Sequence, residues 1–302
     1  MLLLAACPCD AAPAVADLLR GAIDLHCHSG PDTVPRRVND LELVRSARAA
    51  GLRAVVIKNH YTGTADRAQV AQGTVGGGIE VFGGIVLNQA VGGLNAEAVR
   101  RMATMDGRRG RIVWLPTFDA ENAVRAAGEA RSSIALVERG RPVPALAAVL
   151  AVVAAHDLVL ATGHASADEA LVVVAAARDA GIRSVVVTHA LFPALRATDE
   201  HLVALARLGA WIELAWLMHV PAPPADAGAS APMVPLARAV AAIRTVGAAH
   251  VVLASDLGQV VNRPPPDGLR DFLGALQEAG IPAADLSAMV RTNPARVLGL
   301  EP

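Results

Sequence analysis

The key segment of the chain is Ala22-Ile23-Asp24-Leu25-His26-Cys27-His28, which reads as a buried strand ending in two histidines. Successive side chains of a strand point to opposite faces, so Asp24, His26 and His28 are expected to project to the same side. Two imidazoles on one face can chelate a divalent ion, although a His-x-His pair also occurs as a surface feature. The pair therefore indicates a metal site only if later strands end in ligands too.

The composition indicates one large globular domain. The chain has 302 residues, of which 53% are hydrophobic and 18% charged, so it can bury a large core. A net charge of -1 gives no broad electrostatic reason to bind nucleic acid or an anionic membrane. The apolar runs are shorter than the roughly 18 residues that would predict a membrane span. Three cysteines, Cys7, Cys9 and Cys27, give no disulfide framework, which favours a reducing, cytoplasmic location.

The pattern of a strand followed by a helix recurs along the chain. A helix is predicted from about Leu41 to Ala50, closed by Gly51. Eight nearly continuous apolar strands that alternate with helices favour a parallel sheet covered on both faces, and its natural closure is a (β/α)8 TIM-type barrel. We expect this single-domain barrel to span residues 21–302 after an N-terminal extension, residues 1–20. The later strands are predicted at 54–57, 79–87, 111–115, 158–162, 184–187, 210–216 and 251–254.

Candidate metal ligands lie at the carboxyl ends of these strands, where a barrel of this kind forms its active site. Neutral imidazoles with one carboxylate suit Zn²⁺ or a similar ion that keeps one position open for water. Such an ion lowers the pKa of water to about 7 and polarises a carbonyl oxygen. Asp256 is expected to take the proton of the attacking water, and Asp24 to orient a ligand. The predicted ligands are His26 and His28 on the first strand, His164 on the fifth, His189 on the sixth and Asp256 on the eighth.

This order of ligands resembles the amidohydrolase superfamily of metal-dependent hydrolases. The resemblance covers about residues 22–300, including a closing segment, residues 293–300, that is similar to the terminal helix common in that superfamily. Within it, the turn after His28, the Lys58-Asn59-His60 segment and Asn88 resemble a little-characterised subgroup of the DUF6282 type. The resemblance implies a hydrolase that uses a divalent metal ion.

One departure from the family pattern concerns the number of ions. Two-metal members carry a bridging carboxylated Lys or a Glu on strand four, whereas strand four here ends in Trp114-Leu115-Pro116-Thr117. A single ion is therefore favoured, and two ions stay open if Lys58 supplies the bridge. With one ion, Lys58 is expected to act as a cation or electrophile that holds a substrate carboxylate or carbonyl oxygen.

Several further side chains are candidates for substrate contact. His60 is expected to contact substrate rather than metal, and Asn88 and Thr117 are either substrate contacts or strand-end caps. Glu213, in an otherwise apolar strand, is either turned inward and functional or paired with an arginine at the rim. The direction of His219 stays open. Three arginines, Arg36, Arg37 and Arg263, are expected to be solvated loop charges, with contact to an anionic substrate left open.

The sequence thus predicts a metal-dependent hydrolase that opens an amide, lactone, cyclic imide or related C–N or C–O bond of a small molecule. Lys58, His189 and Asp256 are the predicted catalytic residues. One alternative is a metal-dependent decarboxylase of an unsaturated or aromatic acid, with Lys58 and loop arginines holding the departing carboxylate. Another is a barrel that binds a metal or metabolite without catalysis. No nucleic acid or membrane partner is expected, and a homo-oligomer stays open.

Overall fold

The computed structural model describes residues 14–220 and 234–301. Eight parallel strands form one sheet in which each strand pairs with the next along the chain, and the last returns to the first. The main-chain N–H of His28 donates to the carbonyl oxygen of Leu257 at 2.8 Å, and that of Asp256 donates to His26 at 2.8 Å. The predicted barrel is therefore confirmed. Its strands are β1 Ile23–His28, β2 Ala54–Lys58, β3 Glu80–Val86, β4 Gly110–Trp114, β5 Val159–Ala161, β6 Val185–Val187, β7 Trp211–Ala215 and β8 Val251–Ala254.

Helices surround the strands. Several of the longer helices begin at capping boxes, in which an Asn, Ser or Thr side chain accepts from the third helical N–H, as at Asn39, Ser166 and Thr198. The predicted helix after the first strand is confirmed, displaced by one residue at each end. The helices are α1 Val15–Leu19, α2 Asp40–Ala49, α3 Ala65–Val75, α4 Ala96–Thr104, α5 Glu121–Ala126, α6 Pro144–Ala155, α7 Ala167–Asp179, α8 Asp199–Arg207, α9 Leu236–Val246, α10 Pro265–Glu278, α11 Ala283–Ser287 and α12 Asn293–Leu298.

Successive residues of a strand belong alternately to two hydrophobic clusters. The larger includes Val55 and Ile57 of β2 together with apolar residues of the helices, so it lies between the strands and the helices. The smaller includes Ala54 and Val56 of the same strand and the ring of Trp114, so it fills the inside of the barrel. Because both faces of each strand are buried, the strands read as continuous apolar runs in the sequence.

The segment before β1 packs against the barrel. Helix α1 precedes the expected domain boundary at residue 21, yet its Leu18 and Leu19 are buried in the larger core cluster. The long loop at 118–144 contains helix α5 and a two-stranded hairpin, Val137–Glu138 with Arg141–Pro142. The loop at 220–235 lies almost wholly outside the described residues, as do Cys7 and Cys9. Among the described helices, none has the length and apolarity needed to cross a membrane.

Candidate metal centre

Three side chains from β1 and the end of β8 converge at the carboxyl end of the barrel. The donor atoms of His26, His28 and Asp256 all lie within 4.8 Å of one another, and all three residues are buried. Oδ1 of Asp256 is 2.9 Å from Nε2 of His26 and accepts a hydrogen bond from Nε2 of His28 at 3.1 Å. Three of the five predicted ligands therefore meet at one point.

An irregularity in β1 decides which of its side chains face this point. The register between β1 and β2 shifts between Asp24 and Cys27, as at a β-bulge, and this breaks the alternation of side chains. Leu25 joins the inner cluster, whereas Cys27 joins the outer one. Asp24 uses Oδ1 to accept from the main-chain N–H groups of Ser255 at 3.0 Å and His26 at 3.2 Å. The expectation that Asp24 orients a ligand imidazole is therefore wrong, because its carboxylate binds backbone instead.

Glu213 of β7 fills the role expected of Asp24. Its Oε1 accepts a hydrogen bond from Nδ1 of His26 at 2.9 Å and another from the main-chain N–H of His189 at 2.8 Å. A carboxylate on Nδ1 fixes the orientation of an imidazole and leaves its Nε2 toward the centre. Burial opposes the charged form of His26, but Asp256 and Glu213 outweigh it and raise the pKa of His26 to about 9. Glu213 thus lies inward, and not at the rim.

Lys58 lies at the end of β2, against the same imidazole. Its Nζ is 2.9 Å from Nε2 of His26 and 5.4 Å from the centroid of the Trp114 ring. Burial lowers the pKa of Lys58 to about 8, so the side chain loses its proton more easily than an exposed lysine but is still mostly an ammonium at pH 7. The lysine is thus placed to contact a group bound between the ligands.

His164 and His189 form a second pair opposite the first. Their ring centroids are 4.9 Å apart, and that of His189 is 6.0 Å from the ring of His26. Burial lowers the pKa of His189 to about 4 and that of His164 well below its usual value, so both rings are neutral at pH 7. The structure places both rings beside the three-residue cluster but outside it.

The backbone at two strand ends adopts conformations that position these side chains. His189 has φ 29° and Asp256 has φ 53°, both in the left-handed region that non-glycine residues rarely adopt. Gly163, before His164, has φ 60°, and a Cβ there would lie 2.2 Å from the carbonyl oxygen of Leu115. Such conformations cost free energy and often occur at functional sites.

The predicted substrate contacts His60, Asn88 and Thr117 are hydrogen-bonded to one another. Nδ2 of Asn88 donates to Oγ1 of Thr117 at 2.8 Å, and the same Oγ1 is hydrogen-bonded to Nδ1 of His60 at 2.9 Å. Because a hydroxyl can accept two hydrogen bonds or donate one, this contact is compatible with either tautomer of the His60 ring. The ring also stacks on His28 with centroids 4.9 Å apart. The ring of His60 is therefore fixed beside the centre by Thr117, which Asn88 holds in turn.

His219 makes its contacts away from the three-residue cluster. Nδ1 of His219 donates to the carbonyl oxygen of Val234 at 2.8 Å, and its ring packs on Trp216 and Phe272. The rings of Phe118 and Phe192, which no sequence pattern selected, contact His164 at centroid distances of 5.7 Å and 5.4 Å. Both phenylalanines follow strand ends, which is the one sequence signal that could have found them.

Comparison with known proteins gives the family of the chain. The model of the family of unknown function DUF6282 matches residues 21–213, more than half of the chain. The chain belongs to DUF6282. The match ends within β7, so it includes the histidines and Glu213 of the centre but not Asp256. No curated protein matches the sequence.

Solved structures share the fold of this DUF6282 chain. An amidohydrolase from Pseudomonas aeruginosa has a TM-score of 0.64 at 12% identity, over 95% of this chain and 98% of that one. A variant of a PTE-like lactonase from Deinococcus radiodurans has 0.62 at 15%, over 95% and 98%. A probable dipeptidase from Pseudomonas aeruginosa has 0.62 at 13%, over 94% and 96%. At these identities the likeness establishes the barrel fold.

The donor set of the DUF6282 chain fits a divalent metal ion. Two imidazole Nε2 atoms point at one carboxylate oxygen, and a cation can replace the protons that now lie between them. Burial also lowers the pKa of His28 to about 3, so this ring offers a lone pair at neutral pH. Nδ1 of His189 is buried without a hydrogen-bond partner among the described residues. Nitrogen donors with one carboxylate match Zn²⁺ better than Mg²⁺ or Ca²⁺.

Proposed function

We propose that this chain is a metal-dependent hydrolase that opens an amide, lactone, cyclic imide or related C–N or C–O bond of a small molecule. The observation that carries the proposal is the convergence of His26, His28 and Asp256 on one point at the carboxyl end of a (β/α)8 barrel. A zinc ion held by these residues with His164 and His189 would activate water and polarise the carbonyl of the substrate.

Asp256 is the proposed general base. Burial raises its pKa, but the adjacent His26 and His28 outweigh this effect and hold the pKa of Asp256 well below its usual value. The carboxylate is therefore ionised at neutral pH and can accept a proton. The oxygen of water attacks the carbonyl carbon while Asp256 takes the water proton, and this proton passes to the leaving nitrogen or oxygen as its bond to carbon breaks.

The other side chains of the centre hold the reacting groups. Glu213 fixes the ring of His26 through its Nδ1, so that Nε2 keeps its direction. His60, held by Thr117 through Nδ1, would donate from Nε2 to an oxygen that becomes negative in the transition state when its proton is on Nε2. Lys58, whose Nζ adjoins His26, contacts a substrate oxygen. Phe118 and Phe192 place apolar rings against His164.

One ion is favoured because β4 ends in Trp114 and is followed by Leu115, Pro116 and Thr117, none of which can bridge two ions. The position of Lys58 keeps a second arrangement open, in which this lysine bridges two ions. We also propose a cytoplasmic location, since Cys27 is buried and unpaired and the sequence offers no disulfide framework.

A second candidate is a metal-dependent decarboxylase. The observation that favours it is the buried Lys58, only 1% exposed, whose ammonium form can hold a departing carboxylate. The two reactions differ in their products, because decarboxylation releases carbon dioxide and hydrolysis does not.

The direct test is an assay of zinc-loaded protein against a panel of lactones, N-acyl amino acids and cyclic imides, with titration of the acid that hydrolysis releases. We expect at least one chemical class to be hydrolysed. Release of carbon dioxide from unsaturated acids without hydrolysis would favour the decarboxylase. Tight metal binding without turnover of any class would favour a barrel that binds metal without catalysis.

A further inference from the structure

Arg36 lies in the loop that follows β1, and main-chain hydrogen bonds hold this loop against the segment that follows Asp256. It forms an isolated antiparallel bridge with Gln259, just beyond Asp256. The next residue, Arg37, donates its N–H to the carbonyl oxygen of Gly258 at 2.8 Å. On the other side, Gly30 donates to Val38 at 2.9 Å. The loop is therefore held in place beside the centre.

The side chain of Arg36 is buried but its guanidinium group is only partly used. Nε donates to Oδ2 of Asp32 at 2.6 Å, and the two side chains are 6% and 0% exposed. No described residue accepts from its two terminal nitrogens. Arg67, in the same region, differs because it gives Nε and Nη2 to Asp40 in a two-point contact. The ion pair of Arg36 thus orients the group and leaves two donors open.

Main-chain contacts place Arg36 next to the end of β8. The bridge from Arg36 to Gln259 and the bond from Arg37 to Gly258 lie two to three residues beyond Asp256. At 6% exposure, the side chain of Arg36 packs against the protein and not in solvent. The expectation that Arg36 is a solvated loop charge is therefore wrong.

We propose that Arg36 binds a carboxylate of the substrate, so that the enzyme acts on small molecules carrying a free carboxylate near the bond that is cleaved. This inference rests on the proposed hydrolase function. Two parallel N–H donors on a planar group match the two oxygens of a carboxylate. Asp32 already neutralises part of the charge, and the neighbouring strand end carries the carboxylate of Asp256, so one negative charge suits the position better than the two of a phosphate.

The binding test uses matched pairs of probes. N-acetyl derivatives of glycine, β-alanine and γ-aminobutyrate, each with its neutral amide, are titrated into zinc-loaded protein by calorimetry. For at least one pair we expect the carboxylate to bind about tenfold to 100-fold more tightly than the amide. The Arg36→Ala variant should lose this preference. Arg37→Ala is the control, because Arg37 is in the same loop but is exposed and donates to the carbonyl oxygen of Val260.

Several outcomes would overturn the inference. No preference in the native protein for any pair would do so, and so would an equal preference in the Arg36→Ala protein. Tighter binding of inorganic phosphate that depends on Arg36 would replace a carboxylate subsite with a phosphate one. Circular dichroism and zinc content show whether each variant is folded. Arg36→Lys, which keeps the charge but not the planar group, is the second variant and should keep part of the preference.

The same pairs, assayed for hydrolysis, separate this inference from the proposed function. If a pair is hydrolysed, Arg36→Ala should lower the ratio of kcat/KM for the carboxylate over kcat/KM for the amide about tenfold or more, mainly through KM. An unchanged ratio would contradict the role of Arg36 while leaving the hydrolase intact. If no compound of any class is hydrolysed, the proposed function fails, and the binding ratios still decide whether Arg36 selects carboxylates.

Discussion

The two sides of the centre hold their histidines by different means. On the acidic side, made by His26, His28, Glu213 and Asp256, carboxylates bind the imidazoles through hydrogen bonds of 2.9 to 3.1 Å. On the imidazole side, made by His164 and His189, burial and the ring of Phe192 hold the rings, and no carboxylate of the described residues contacts them. The acidic side therefore fixes direction and attracts a cation, whereas the imidazole side supplies neutral lone pairs.

The largest effect is expected at Asp256. Asp256→Asn removes the proton acceptor while keeping nearly the same shape, so the rate of hydrolysis should fall at least about 100-fold. Steady-state kcat of the zinc-loaded variant is the measurement, and Asp267→Asn in α10 is the surface control. Activity close to that of the native protein would show that the acidic side does not supply the base.

The next effect concerns the carboxylate behind His26. Glu213→Gln keeps the size of the side chain but removes its charge, and changes of this kind typically lower metal affinity about 10- to 100-fold. Competition with a chromogenic chelator measures the affinity, and Glu42→Gln, at an exposed helix cap, is the control. Unchanged metal affinity in the Glu213→Gln variant would mean that Glu213 only accepts the hydrogen bond from the main-chain N–H of His189 and does not affect the metal site.

A backbone change tests the imidazole side. Gly163→Ala places a methyl group where the Leu115 carbonyl lies and forces a positive φ on alanine, so it should lower the free energy of unfolding by about 1–3 kcal/mol. The control Gly73→Ala lies in α3 with open space around it, and should raise stability by about 0.5–1 kcal/mol. Urea unfolding distinguishes the two. Equal changes in the free energy of unfolding for the two variants would show that the backbone at Gly163 can move to accept a methyl group.

The smallest effect is expected at His219, a buried histidine outside both sides. Burial lowers its pKa in the folded protein, so below about pH 6.5 the unfolded chain binds more protons and stability falls as pH falls. His219→Gln should reduce this loss between about pH 6.5 and 5, as followed by urea unfolding at several pH values. An identical pH dependence in both proteins would contradict burial as the cause.

Much of this architecture was predictable from the sequence because parallel strands buried on both faces appear as apolar runs that end in polar residues. The same property hid the inward direction of Glu213, since a strand without a polar face does not show which neighbours point inside. The assumption that side chains of β1 alternate strictly between the two faces also failed for Asp24, because a bulge between Asp24 and Cys27 shifts the register. Arg36 could not be assigned because its place depends on a loop bridge to Gln259, and loop conformation leaves no periodic signal.

The most direct test of the metal centre is elemental analysis of protein purified after expression with zinc, together with the His28→Ala and Lys58→Ala variants. We predict about one equivalent of divalent metal in the native protein and in the Lys58 variant, and a large loss in the His28 variant. Two equivalents that fall to one without Lys58 would establish that this lysine bridges two ions. A folded native protein that binds no metal would contradict the metal centre itself.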